Sequence, residues 1–304
     1  MANSTIIYAG TRNGLAIFNK PGTSPDWLPA RMALGGRAVL SVWAETGPPI
    51  RVVAAAENPG ELLLSESGGR DWEPRLDAPV TTIFATPDET ARLYAGMNHG
   101  GLAGSVDGGG SWGILPGIEL GGSIRVITAD LKEPGRLYIL LQLGDGETAL
   151  IDGIPEQVPW RRQALAGITA FSQEAPTDDL YACTTQGVYL SADKGDTWAA
   201  LPGSPAHGKA ITVIPGPQNG LPALVVGTPE GLFVSPDDGG TWQQAEVPQD
   251  GVVVAIARDP ERRDRVYAAT DTGFVFESGN RGQSWQPVNS QPVAEIKALY
   301  VLRI

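Results

Sequence analysis

Apolar and polar positions along this chain alternate in short runs, and nowhere do they recur over a long stretch at the 3.6-residue spacing of an amphipathic helix. The stretch 252–289 shows the pattern: "VVVAIARDP", then "RVYAAT", the turn "DTG", "FVFES", a polar octad and "SWQPV". These are four runs rich in Val, Ala, Phe and Tyr, each bounded by Gly, Pro, Asp or Asn, and they predict four short strands. The second and third runs meet at a turn that recurs as "TRNG" 11–14, "TTQG" 184–187, "TPEG" 228–231 and "TDTG" 270–273. Each supplies a glycine where a tight hairpin needs positive φ. The pattern predicts an all-β chain with sparse helix.

The polar octads repeat. "SVDGGGSW" (105–112), "SADKGDTW" (191–198) and "SPDDGGTW" (235–242) share Ser seven before the Trp, Asp five before, Gly three before and a hydroxyl one before. "SGNRGQSW" (278–285) and "SESGGRDW" (65–72) are looser copies, the latter with Ser67 at the acid position and Asp71 at the hydroxyl position. Trp27 and Trp160 continue the series in "KPGTSPDW" and "GIPEQVPW", which have lost most of the motif. The seven tryptophans fall 38 to 48 residues apart, a period that reads as a repeat array. Four strands per period is one propeller blade, so the expectation is a seven-bladed β-propeller of four-stranded antiparallel blades. The chain opens with "STIIYAG", "LAIFNK" and "DWLPA", three strands of a blade, and closes with "PVAEIKALYVLRI", one strand. One blade is therefore expected to be shared by residues 1–30 and 292–304, closing a single domain over 1–304 without a free edge.

S-x-D-x-G-x-[ST]-W resembles the Asp-box, or BNR repeat, of sialidases, xyloglucan-cleaving glycosidases, sortilin-type receptors and the photosystem II assembly factor. The resemblance implies that the box sits on the turn between the outer two strands of a blade, away from the pore. It also implies that the acid and hydroxyl cap backbone amides while the Trp packs in the blade. It gives a structural role to Ser105, Asp107, Trp112, Ser191, Asp193, Trp198, Ser235, Asp237, Trp242, Asn280 and Trp285. Asp and Ser suit that work, because their side chains bond nearby backbone in turns. Since the family holds enzymes, receptors and assembly factors, fold alone assigns no function.

Charge narrows the choice. There are 34 acidic and 22 basic side chains, a net charge of −12, so nucleic acid is disfavoured as a partner. The single cysteine, Cys183 in "LYACTT", permits no intrachain disulfide and reads as a small core residue. The start "MANSTIIYAGTRNG" lacks the basic and long apolar segments of a signal peptide, and no apolar run reaches membrane-spanning length, so a cytoplasmic protein without membrane insertion is expected.

Candidate chemistry is thin. His99 and His207 are the only histidines and lack zinc-site spacing, so no metal or cofactor is expected. There is no G-x-S-x-G elbow. The early Phe/Tyr-Arg-Ile-Pro motif of sialidases is missing, which argues against that activity, and the xyloglucan-cleaving enzymes use two propellers where this chain predicts one. A glycosidase would need two carboxyls about 5–9.5 Å apart. Glu57, Asp145, Glu147, Glu230 and Asp271 lie on or near the second-to-third-strand turns, where they also read as ordinary turn residues.

Four first strands instead carry a base just before the apolar run: Arg37 in "GGRAVLSV", Arg125 in "SIRVITA", Lys209 in "GKAITV" and Lys297 in "EIKALYV". Val80, Gly167 and Val252 take the corresponding places in the other blades. If the registers agree, these bases, joined by His207, form a cationic pore mouth in an acidic protein. The alternative is local neutralisation, as by Glu295 beside Lys297. The sequence thus supports a monomeric, non-catalytic binding or assembly module that recognises a protein segment or an anionic ligand. A glycoside hydrolase or lyase acting on a saccharide or anionic small molecule at the pore mouth is the alternative.

Overall fold

The computed structural model describes residues 4–87, 92–133, 135–144, 146–155, 157, 159–173, 177–217, 220–247 and 251–304. The fold is all-β, a seven-bladed propeller of four-stranded antiparallel sheets, with no helix among the described residues. Two compact units compose it, Met1–Gly36 with Thr169–Ile304, and Arg37–Ile168.

The larger unit holds four sheets. Blade 1 runs Ile296–Arg303, Thr5–Thr11, Gly14–Lys20, Arg31–Ala33, so the C-terminal strand does pair with the N-terminal hairpin. Tyr8 faces Tyr300 and Thr5 faces Arg303 in that register. The fourth strand begins at Arg31, not within "DWLPA" as the sequence suggested. Pro29 lacks the N–H that a ladder needs, and the chain reaches pairing register only past it. Blade 5 is Ala170–Gln173, Leu180–Cys183, Val188–Ser191 and Ala199–Ala200. Blade 6 is Ala210–Ile214, Ala223–Thr228, Gly231–Ser235 and Gln243–Ala245. Blade 7 is Val253–Arg258, Val266–Thr270, Val275–Ser278 and Gln286–Pro287. Successive first strands pack on each other, and apolar side chains fill the space between facing sheets. Tyr181, Val213 and Val226 belong to one such layer, Val225, Val253, Phe276 and Trp285 to the next, and Ile7, Phe18, Tyr267 and Ile296 to the third.

The smaller unit holds three sheets of the same order. Blade 2 is Val39–Glu45, Arg51–Ala56, Glu61–Ser65 and Glu73–Asp77, and blade 3 is Val80–Ala85, Leu93–Met97, Leu102–Ser105 and Gly113–Ile114. Blade 4 is Ser123–Ala129, Leu137–Gln142, Thr148–Gly153 and Arg161–Ala166. Tyr94, Ile124, Leu137 and Ile139 form its core between blades 3 and 4.

The first strand of every blade carries an extra residue near its start. Pairing skips Lys297 in blade 1, Leu40 in blade 2, Thr81 in blade 3, Arg125 in blade 4 and Val254 in blade 7. In blade 5, Thr169 and Ala170 both oppose Cys183; in blade 6, Lys209 and Ala210 both oppose Gly227. A bulge of this kind re-aims the extra side chain away from the ladder.

Candidate binding face at the first-strand starts

Each blade presents two turn-bearing ends, and the octads occupy one of them. In blade 3, Ser105 Oγ accepts from Gly109 N (3.0 Å) and donates to Asp107 Oδ1 (2.8 Å). Asp107 Oδ1 accepts from Ser111 N (2.9 Å), and Oδ2 accepts from Ser111 Oγ (2.7 Å). Ser191, Asp193 and Thr197 repeat the network in blade 5, and Ser235, Asp237 and Thr241 repeat it in blade 6. The hydrogen bonds from the Ser or Thr one before the Trp hold the Asp107 and Asp193 carboxyls at about 2, below the ordinary 3.8. In blade 7 Asn280 does the same without charge: Oδ1 accepts from Ser284 N (3.0 Å) and Nδ2 donates to Ser284 Oγ (2.9 Å). Trp285 is buried and donates its indole N–H to Gly282 O (2.8 Å), and Trp112 does likewise to Gly109 O (3.1 Å). Trp112, Trp198 and Trp242 are half-buried.

The octad also locks neighbouring blades. Its fourth residue adopts positive φ in Lys194, Asp238 and Arg281 (58°, 58° and 60°). From there Asp238 accepts from Tyr181 OH of blade 5 (2.6 Å), and Arg281 donates to Leu221 O of blade 6 (3.1 Å). The Ser and Asp or Asn side chains of these octads are thus committed to the fold.

The opposite end of each blade holds the T-x-x-G turns and the first-strand starts. In the larger unit, buried Thr11, Thr184 and Thr228 shape the turns: each hydroxyl accepts from the N–H two residues on and donates to the glycine carbonyl three on. The turns hold Asn13, Gln186 and Glu230 at their third position.

The four bases do not occupy one register. Arg125, Lys209 and Lys297 are the bulge residues of blades 4, 6 and 1. Arg37 lies three positions ahead of the equivalent Leu40. It braces the Glu57–Glu61 turn instead, bonding Glu61 (2.6 Å), Pro59 O (2.9 Å) and Glu57 O (3.5 Å). Thr81, Thr169 and Val254, not Val80, Gly167 and Val252, are the remaining equivalents. Lys297 pairs with Glu295, whose carboxyl is held below its ordinary range by the Lys297 hydrogen bond and, more weakly, by Arg12. Arg125 and Lys209 are exposed and have no acid partner among the described residues. Arg37 and Arg125 belong to the smaller unit, Lys209, Lys297 and His207 to the larger.

Of the turn acids, Asp145 lies outside the described residues. Glu230 and Asp271 line one cleft of about 890 Å³ in the larger unit, together with Glu246, Gln244 and Thr272. Asp271 Oδ1 accepts from Val252 N (2.9 Å), so this carboxylate also shapes its own turn. Glu246 was not singled out by the sequence reading; it lies just past the short fourth strand of blade 6, where nothing in the repeat marks it. No group of three or more His, Cys, Asp or Glu side chains among the described residues is arranged to hold a metal. Cys183 is fully buried, and burial pushes its thiol up to about 12, which disfavours the thiolate that a nucleophile needs.

No family model matches the chain. Vacuolar protein sorting/targeting protein 10 of Zygosaccharomyces rouxii is 33% identical over 70 residues, 23% of this chain and 4% of that protein. The chain thus matches only a small fraction of that relative's length. Among solved structures, YCF48 from Cyanidioschyzon merolae superposes with a TM-score of 0.61 at 16% identity, covering 85% of this chain and 88% of that one. YCF48 bound to D1 peptide gives 0.59 at 18%, over 84% and 82%. A GH74 xyloglucanase from Xanthomonas campestris gives 0.58 at 15%, over 96% of this chain and 59% of that one. At these identities the likeness is one of fold alone.

Proposed function

We propose that this chain is a non-catalytic binding or assembly module, and that its partner, a protein segment or an anionic ligand, meets the first-strand starts of one of its two units. The observation that carries this reading is the contrast between committed and uncommitted charge. The Asp107 carboxylate is hydrogen-bonded within its own turn, whereas Arg125 in the smaller unit and Lys209 in the larger stand exposed at bulges with no acid partner among the described residues. An exposed base that bonds nothing in its own fold contributes little to stability, and in a protein of net −12 it is a local attractor for an anion. That a propeller of this fold, YCF48, binds a peptide supports the same use of the architecture. The test is affinity purification with the Arg125→Ala and Lys209→Ala variants made separately. The expected result is loss of the captured partner in one of them, with wild-type capture weakening as salt rises and the melting temperature unchanged. Full capture by both variants overturns the reading.

A second reading, glycoside hydrolysis, draws on the cleft that gathers Glu230, Glu246 and Asp271. Turnover in a glycoside panel, lost in Glu230→Gln, supports it; no turnover leaves the cleft without that role.

A further inference from the structure

Residues His207, Gly208 and Lys209 form a short pinned segment joining blades 5 and 6, entirely within the larger unit. Three hydrogen bonds fix it. His207 N donates to Thr184 O (3.0 Å), Thr169 Oγ1 donates to Gly208 O (2.6 Å), and Lys209 N donates to Gly227 O (2.7 Å). Gly208 is required there, since a Cβ would come within 2.5 Å of Cys183 Sγ. The segment is held by its backbone and free in its side chains. Both His207 and Lys209 are exposed, and neither side chain has a hydrogen bond or ion pair among the described residues.

The backbone at His207 is strained. Its φ is 56°, a left-handed conformation that a residue bearing a Cβ adopts at a cost. Blade 5 shows how that cost can be avoided. Two residues ahead of the bulge residue Thr169 of blade 5, the same place is taken by Gly167, with φ of 70°. Blade 6 places an imidazole where blade 5 uses glycine, and the imidazole bonds nothing in the fold. Strain kept at a residue whose side chain makes no bond in the fold points to a ligand.

We propose that His207 and Lys209 form a carboxylate-binding pair that takes an acidic side chain of a partner peptide. This rests on the binding-module reading and names its partner chemistry. One ammonium and one imidazole N–H match the two oxygens and single charge of a carboxylate. A phosphate dianion would leave charge uncompensated beside a protein of net −12.

The test uses the full chain with three probes: an acetylated, amidated hexaglutamate peptide, its hexaglutamine counterpart, and inorganic phosphate. Binding is followed by the amide NMR shifts of Gly208 and Lys209. The hexaglutamate peptide is expected to shift both signals, while the hexaglutamine peptide does not and phosphate does so only weakly. Lys209→Ala should lose at least tenfold in affinity at an unchanged melting temperature. His207→Gly should lose several-fold while melting higher, by about 2 °C, because glycine relieves the strain. Equal binding of hexaglutamine, stronger binding of phosphate, or full affinity in Lys209→Ala overturns the assignment. If Lys209→Ala keeps its affinity while Arg125→Ala abolishes capture of a partner, the module reading survives and this site alone fails.

Discussion

The two ends of blades 5 and 6 are built on opposite rules. At the octad end, polar side chains repeat from blade to blade and bond one another or the backbone beside them. At the first-strand end, backbone bonds repeat while the side chains differ: Thr169 and Lys209 at the bulges, Gln186 and Glu230 at the turns. Repetition with saturation serves the fold, because each blade faces the same problem of orphaned amides in its outer turn. Repeated backbone under varied side chains leaves room for recognition. A residue that differs from its equivalents and bonds nothing does no work that the repeat requires.

That contrast predicts a ranking of effects. The largest belongs to Trp285, whose ring is buried between blades 6 and 7 and whose indole donates to Gly282 O. Trp285→Ala should destabilise by about 3–5 kcal/mol, as for other large core truncations. Trp198→Ala should cost less, because that ring is half-buried. Thermal melting of both variants checks the order. A Trp285→Ala protein that melts like the parent but no longer captures its partner would place function at the octad end and break the contrast.

Asp107 comes next. Asp107→Ala removes the acceptor for Ser111 N and Oγ, a loss of about 1 kcal/mol once its exposure is allowed for. Asp107→Asn should be nearly neutral at pH 7, because Asn280 already fills the same place with the same bonds. The two differ in their pH dependence. Since the folded state depresses the carboxyl from 3.8 to about 2, its contribution is complete above pH 4 and disappears as pH falls toward 2. The asparagine variant should therefore lose less stability than the parent on acidification across that window, as acid unfolding followed by circular dichroism would show.

The same contrast explains what was legible in the sequence. The octads could be read because their chemistry demands particular residues at fixed offsets, and the tryptophan period then implied four strands per blade. The pairing of Ile296–Arg303 with Thr5–Thr11 followed from counting strands at the two termini. First-strand registers were less legible, because the bulge that fixes them needs no particular side chain: Leu40, Thr81, Arg125 and Val254 all fill it. Arg37 therefore looked equivalent to Arg125 while standing three positions ahead of Leu40, bound to Glu61. The strain at His207 left no trace in composition; only the comparison with Gly167 makes it visible. Glu246 was missed because its neighbours in the cleft, Glu230 and Asp271, come from turns distant in sequence.

The smallest effect on stability should come from Glu295, and it sharpens the contrast between two lysines of the same unit. Lys209 and Lys297 are both bulge residues and both exposed, yet only Lys297 is paired, with the carboxylate two residues away. An exposed pair of this kind contributes little, so Glu295→Gln should change stability by less than about 0.5 kcal/mol. Its effect on binding should be larger than its effect on folding. Removing the carboxylate frees the Lys297 ammonium and lowers the local negative charge, which turns a neutralised base into a second copy of the Lys209 arrangement. The variant is expected to bind the hexaglutamate peptide more tightly than the parent at low salt, with the gain disappearing as ionic strength screens the added charge. Unchanged affinity at low salt would mean that an unpaired base at a bulge is not enough, and that the strained imidazole of His207 is what distinguishes the blade 6 position.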